Sequence, residues 1–169
     1  MAQAVRTRRG GDGRTADLDL GIEDQQVVAD VLERVLADEN VLYMKAKHYH
    51  WNVEGPQFVA LAKVFQDQYE LLDEVVHEVA ERMRAVGAHP LGSYARYLDQ
   101  ARLEESTERR EKAETMVETL LGDHEAMARH LRDDITACKE QKDEATADLL
   151  IGLLRKHERA AWVLRSLRG

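Results

Sequence analysis

The chain of 169 residues is poor in residues that break helices or form β-sheet cores. It has two prolines and ten glycines, and only 5% of its residues are aromatic, whereas 33% are charged. Few helix breakers together with high charge favour long helices with an aliphatic core over a β fold. The length suits one domain with a sizeable core.

Other absences exclude classes of function. The single cysteine, Cys138, cannot form an intrachain disulfide, and we expect it to be a passive helical residue in a reducing cytoplasm. No apolar run approaches the ~20 residues of a membrane span, and none follows the N-terminal arginines as in a secretory signal. GxGxxG, P-loop, CxxC and HExxH motifs are missing, so nucleotide binding, dithiol chemistry and a zincin have no support. The net charge of −8 argues against a general nucleic-acid-binding surface and suits attraction of cations.

Apolar residues recur at helical spacing in four long segments. The sequence predicts helices from Asp24 to about Asn52, from Phe58 to Gly87, from Ser106 to near Lys142, and from Asp143 to the end. The third link is short, and Gly55-Pro56 turns the first. The second link is long. This pattern predicts an all-α four-helix bundle.

The first residues differ from the rest. Met1–Arg14 contains three glycines and one aspartate, with four arginines, Arg6, Arg8, Arg9 and Arg14. We expect residues 1–22 to form a disordered basic arm and residues 23–169 to form the folded domain. Two interpretations of the arm stay open: a terminus without function, and an arm that binds DNA phosphates.

A strip of ionisable residues lies on the second predicted helix. Asp73, His77 and Glu81 are four residues apart, which places them on one helix face. By spacing alone such a strip is more often a solvated surface than a metal site. If it does bind a metal, carboxylate and imidazole ligands suit iron, manganese or zinc.

Three motifs carry a resemblance to a known family. They are H-W-N-V-E-G-P-Q-F at 50–58, A-E-R-M-R-A-V-G-A-H-P-L-G at 80–92, and L-L-R-K-H-E-R-A-A-W-V-L-R at 153–165. Over roughly Asp24 to Leu167 the chain resembles the Dps family (DNA protection during starvation) of ferritin-like proteins. The resemblance implies a dodecameric shell that oxidises ferrous iron, usually with hydrogen peroxide, and stores the ferric product. It also implies a short helix over 93–101, in the long link between helices 2 and 3.

The resemblance also assigns the iron site, which in this family lies between two subunits. His50 is the histidine from one subunit, and Glu81 is the glutamate from its partner. His77 takes the place of the family's second acid, a replacement that shifts preference toward softer metals such as zinc. The family's ligands for a second iron are replaced by Ala62 and Gln66, so we expect one metal, held by His50, His77 and Glu81. A second iron would have to be held by water, by Glu81 as a bridge, or by Asp73, which is a further candidate ligand.

Asp143 and Asp148, at the start of the last helix, have two interpretations. They are helix-capping residues, or they line the pores through which ferrous ions enter, as the resemblance implies. We expect Trp51 to pack at a subunit contact and Trp162 to lie in the core or an interface. Surface or interface roles are expected for the other histidines, which are His48, His89, His124, His130 and His157.

Three functional hypotheses follow. The first is a ferroxidase and iron-storage shell that protects DNA from oxidative damage, cytoplasmic and nucleoid-associated if it binds DNA. The alternative is a non-catalytic cage of the same family with a degenerate site, which binds DNA or zinc. The third is a helical scaffold with no metal.

Overall fold

The computed structural model describes residues 21–168, which contain five α-helices and no strand. Helix α1 packs along α2, and α4 packs along α5, while α1 also contacts α3 and α4. This is the predicted all-α four-helix bundle, with the predicted short helix between the second and third long helices. No helix in the described range is both long and apolar enough to cross a membrane. The bounds are α1 Ile22–Asn52, α2 Phe58–Ala85, α3 Tyr94–Gln100, α4 Ala113–Glu140 and α5 Glu144–Ser166.

Two glycines with positive φ delimit α2. Gly55, at φ 111°, makes the turn after α1 and accepts a hydrogen bond from the backbone N–H of Phe58. Gly87, at φ 88°, ends α2. Its N–H donates to the carbonyl of Arg84, and the N–H of Ala88 donates to that of Met83. These are the two bonds of a Schellman motif, whose left-handed position favours glycine.

The predicted start of the third long helix is wrong. It begins at Ala113 rather than Ser106. The Ser106 hydroxyl donates to the Glu111 carboxylate instead of capping backbone N–H groups. The Tyr49 hydroxyl donates to the same carboxylate. The segment between Ser106 and Glu111 is therefore fixed by side-chain bonds outside a helix.

A buried ion-pair network holds the long link against the bundle. Asp38 on α1 is fully buried and accepts hydrogen bonds from the backbone N–H of Arg102 at 2.5 Å and from Arg102 Nε at 2.8 Å. The same guanidinium makes two parallel bonds to Asp134 on α4, at 3.1 and 2.9 Å. Such paired bonds fix both the position and the orientation of the link.

The core is mainly aliphatic, as expected. Cys138 is fully buried, and burial raises the pKa of its thiol to about 12, so it is a passive core residue. The core nevertheless contains several polar or charged side chains. These are Asp38, Glu39, Lys45, Gln68, His124, Asp134, Asp143, Thr146 and His157. Buried polar groups need hydrogen-bond partners, so each requires an explanation.

Candidate metal centre

His50 lies in the last turn of α1, with its side chain over α2. Its Nδ1 is 2.8 Å from the backbone carbonyl oxygen of Ala62, and its ring packs edge-on against Tyr69 with 5.4 Å between centroids. A carbonyl oxygen only accepts, so Nδ1 must carry the proton. The lone pair is then on Nε2, which is the arrangement of a metal-binding imidazole whose other nitrogen is held by the protein.

The predicted strip lies on the exposed face of α2. Asp73, His77 and Glu81 are all exposed to solvent. His77 Nδ1 donates to the backbone carbonyl of Asp73 at 2.9 Å, so its lone pair is also on Nε2. Imidazole and carboxylate are therefore both free to bind a ligand on this face.

The two halves of the predicted site are far apart within one subunit. His50 contacts α2 at Ala62, whereas His77 is fifteen residues further along the same helix. At the α-helical rise this separation is about 22 Å along the axis. Between residues 21 and 168, no group of three or more His, Cys, Asp and Glu side chains is placed to hold a metal ion. One subunit therefore does not bring His50 together with His77 and Glu81.

Ala62 and Gln66, which take the positions of the family's second-iron ligands, carry neither a carboxylate nor an imidazole. Ala62 contributes only its carbonyl, which is occupied by His50. Gln66 donates to Glu70 at 2.7 Å. Asp67, one residue further round the helix, pairs with Lys63. The binding of one metal rather than two stays a prediction.

A lysine is held beside His50 by aromatic rings. Lys47 Nζ lies 4.9 Å from the centroid of Tyr43, 5.6 Å from that of Tyr69 and 5.7 Å from that of Trp51. A hydrogen bond to the Tyr43 hydroxyl, at 2.9 Å, raises the pKa of the ammonium, with a smaller contribution from Asp73. The ammonium therefore lies against the ring of Tyr69, on which His50 also packs.

Asp143 has the geometry of a capping residue. It accepts from the backbone N–H and the hydroxyl of Thr146, at 2.9 and 2.6 Å, and from Arg82 at 2.7 and 3.0 Å. Burial opposes ionisation, but the bonds from Thr146 and Arg82 outweigh it and lower the pKa of Asp143. Asp148 is exposed. A pore role for either residue stays a prediction.

The remaining predicted residues divide into three groups. His48 is engaged at both nitrogens, by the Glu108 carbonyl at 2.9 Å and the Asn52 amide at 3.1 Å. Trp51 and Trp162 are 63% and 61% exposed, so Trp162 is not in the core of the subunit, and a subunit contact stays the prediction for both. The four arginines of the arm, Arg6, Arg8, Arg9 and Arg14, lie outside the described residues.

The expectation of surface or interface roles is wrong for two histidines. His124 on α4 and His157 on α5 are each 2% exposed, and they hydrogen-bond to each other in the middle of the bundle. Glu39 on α1 and Gln68 on α2 complete this buried cluster. Spacing could have located all four, because each lies four residues from an apolar core residue of its own helix, at Val35, Leu72, Leu120 and Leu153.

Comparison with known proteins places the chain in a family. A family profile described as the ferritin-like domain matches residues 29–169. The DNA protection during starvation protein 2 of Bacillus anthracis is 36% identical over 139 residues, which cover 82% of this chain and 94% of that protein. The chain belongs to the Dps family of ferritin-like proteins. The family resemblance drawn from the sequence is thereby confirmed.

Two further matches cover most of the chain. An uncharacterised low temperature-induced protein of Nostoc sp. is 40% identical over 152 residues, covering 88% of this chain and 85% of that protein. The crystal structure of a Dps protein from Vibrio cholerae superposes with a TM-score of 0.87 at 28% identity, covering 95% of this chain and all of that one. The latter is described as a member of a broad superfamily of ferritin-like diiron-carboxylate proteins.

Proposed function

We propose that this Dps-family protein binds and oxidises ferrous iron at a site between two subunits of a dodecameric shell and stores the ferric product inside. His50 of one subunit and His77 and Glu81 of its partner are the ligands. The observation that carries the proposal is the tautomer of the two imidazoles. Each donates its Nδ1 proton to a backbone carbonyl, which leaves Nε2 available to a metal, yet they are about 22 Å apart along α2 in one subunit.

The donor set suits ferrous iron. Two imidazoles and one carboxylate with open positions are typical of non-haem iron(II) sites that react with oxygen species. Asp73, one turn before His77, is exposed and can assist binding. Zinc accepts the same donors and is the natural competitor. The net charge of −8 per chain favours attraction of cations to the shell.

The oxidation needs two ferrous ions for each peroxide. Each ion gives up one electron, and hydrogen peroxide takes up two electrons and two protons to become two molecules of water. Since Ala62 and Gln66 supply no second site, the two ions must be oxidised in succession at one site or at separate sites. We therefore expect slower oxidation than in a two-metal centre, where both electrons are available together.

Restoring the missing ligands tests this argument. The double change Ala62→His with Gln66→Asp is expected to speed ferrous oxidation by peroxide by about tenfold, an effect as large as that of losing one residue that hydrogen-bonds to a metal ligand. The measurement is stopped-flow absorbance of ferric product, with zinc added in a parallel series as competitor.

The matched control is Lys63→His. It creates a histidine four residues before Asp67, which is the same ligand pair rotated by about 100° around α2. We expect no acceleration from it. An unchanged rate for the double variant in an intact shell would show that the missing ligands do not limit the reaction. Metal occupancy without any oxidation in the parent protein would favour a non-catalytic cage.

The basic arm favours a second role, DNA binding by the assembled shell. Met1–Arg14 carries four arginines against one aspartate in a chain whose net charge is −8. Arginines repeated around a shell add weak phosphate contacts by avidity, without reading base sequence.

Deleting residues 1–14 is therefore expected to abolish gel retardation of DNA at low salt. In the intact protein, binding should fall steeply with salt, by a slope of about −0.9 in log affinity per neutralised phosphate. Assembly and iron oxidation serve as controls and should not change. Full retention of DNA binding by the truncated shell would exclude the arm as the binding element.

A further inference from the structure

Four polar side chains, one from each long helix, form a continuous hydrogen-bonded chain across the centre of the bundle. Glu39 Oε1 on α1 is 2.9 Å from His157 Nε2 on α5. His157 Nδ1 is 2.9 Å from His124 Nδ1 on α4. His124 Nε2 is 3.1 Å from Gln68 Oε1 on α2. All four residues are buried, Gln68 being the most accessible at 6% exposed.

The hydrogen-bonded chain contains three donor–acceptor gaps, and each gap needs one proton. A carboxylate oxygen and an amide oxygen terminate it, and both are acceptors. Each imidazole must therefore donate outward from its Nε2. The two Nδ1 atoms then face each other at 2.9 Å, which is a hydrogen-bond distance only if one of them is protonated. An ionised Glu39 with two neutral imidazoles supplies two protons, so one is lacking.

The requirement for charge neutrality also calls for one additional proton. A buried carboxylate without a counter-charge is strongly destabilising. The charged side chains that neighbour cluster residues in sequence are paired elsewhere. Asp38 pairs with Arg102, Lys45 with Asp123, Lys156 with Glu78, and Glu158 with Arg132. Among residues 21–168, the ion-pair partner of Glu39 is His157, and its other carboxylate oxygen, Oε2, is buried without a hydrogen-bond partner.

We propose that the centre of the bundle is a binding site for one excess proton, shared within the chain Glu39–His157–His124–Gln68, so that the cluster is electrically neutral. Burial, together with the neighbouring His157, lowers the pKa of His124 well below its usual value. His124 is thus the neutral imidazole, and it accepts through Nδ1. The three gaps are then all filled.

The proposal predicts a specific pH dependence of folding. An unfolded chain loses its histidine protons above about pH 6.5. Above that pH the folded cluster holds one proton more than the unfolded chain, so the folding equilibrium constant should fall about tenfold per pH unit as pH rises. Between about pH 4.3 and 6.5 the two histidines of the unfolded chain hold two excess protons, whereas the folded cluster holds one. The folding equilibrium constant should therefore also fall about tenfold per pH unit as pH drops through this range. The contribution of the cluster to folding stability is therefore greatest near pH 6.5.

The measurement is denaturant unfolding from pH 5 to 9 at fixed protein concentration, for the wild type relative to a charge-free reference. The reference carries leucine at all four positions: Glu39→Leu, Gln68→Leu, His124→Leu and His157→Leu. Replacing an entire buried ionic group by apolar residues of similar volume commonly preserves the fold. The control, His89→Gln, removes an exposed histidine and should leave the wild-type dependence unchanged. A flat difference above pH 6.5 would overturn the proposal, because it means that no excess proton is bound.

Neutron diffraction from deuterated wild-type crystals at neutral pD tests the proposal without any variant. We expect three deuterons in the chain, one in each gap. Two deuterons, with the Gln68 amide rotated to donate to His124, would overturn it. A metal ion between the two Nδ1 atoms would overturn it as well.

Discussion

Replacing Glu81 by alanine is expected to abolish iron binding at the subunit interface and to slow ferrous oxidation by at least about a hundredfold, because the loss of a residue that only hydrogen-bonds to a metal ligand already costs about 10–100-fold. Glu81 is the only carboxylate among the three proposed ligands, and oxygen ligands stabilise the ferric product better than imidazole does. Its exposure on α2 means that its removal leaves no buried charge unpaired, so the fold should be unaffected. Stopped-flow oxidation and equilibrium dialysis of iron give the two readouts.

Glu78→Ala is the matched control for this variant. Glu78 is another carboxylate on the outside of α2, and its partner is Lys156 rather than a metal. Its loss removes one exposed ion pair, which contributes about 0–1 kcal/mol. We expect normal iron oxidation from it. Equal losses in both variants would indicate a general effect of charge on the shell, and the assignment of Glu81 as a ligand would be wrong.

Replacing Arg102 by alanine is expected to cost about 3–5 kcal/mol in the free energy of unfolding, the range for breaking a buried ion pair from one side. Asp38 would lose its guanidinium partner while fully buried, and Asp134 would lose both of its hydrogen bonds to Arg102. Burial already raises the pKa of Asp134, against the opposing effect of Arg102. Arg102→Lys should recover only part of the loss, because an ammonium cannot form the paired bonds of a guanidinium.

Denaturant unfolding measures this loss, and Arg132→Ala provides the comparison. Arg132 pairs with Glu158 at the surface, where both side chains are about half exposed. An exposed pair contributes about 0–1 kcal/mol. If Arg102→Ala were no more destabilising than Arg132→Ala, the buried network would not be what holds the long link to the bundle.

The long helices could be predicted because their signals are local. Apolar periodicity runs the length of each, and Gly87 provides the end of α2 through a backbone geometry that other residues rarely adopt. The start of α4 could not be predicted, because Ser106 looks like a cap in sequence. Its hydroxyl is taken by the Glu111 carboxylate instead, five residues along the chain, where Tyr49 from α1 also binds. Such a competing tertiary contact is not visible in a local pattern.

The candidate iron site could be predicted from local sequence signals, whereas the core cluster could not. His50, His77 and Glu81 were proposed from motifs and spacing, and the hydrogen bonds of both histidines leave Nε2 available to a ligand. His124 and His157 were missed because a histidine counts as polar in a hydrophobic pattern, although both occupy core positions of their helices. Their partners, Glu39 and Gln68, come from two other helices, and only the folded bundle brings the four together.

Anomalous diffraction at the iron edge, from crystals of the assembled protein soaked anaerobically in ferrous iron, tests the proposed site most directly. We expect one strong peak per subunit, within bonding distance of His50 Nε2 from one subunit and of His77 Nε2 and a Glu81 carboxylate oxygen from its partner. No peak of comparable height should lie beside Ala62 and Gln66. Absence of iron at the interface in a fully assembled shell, or iron bound without His50 and Glu81, would contradict the proposed site.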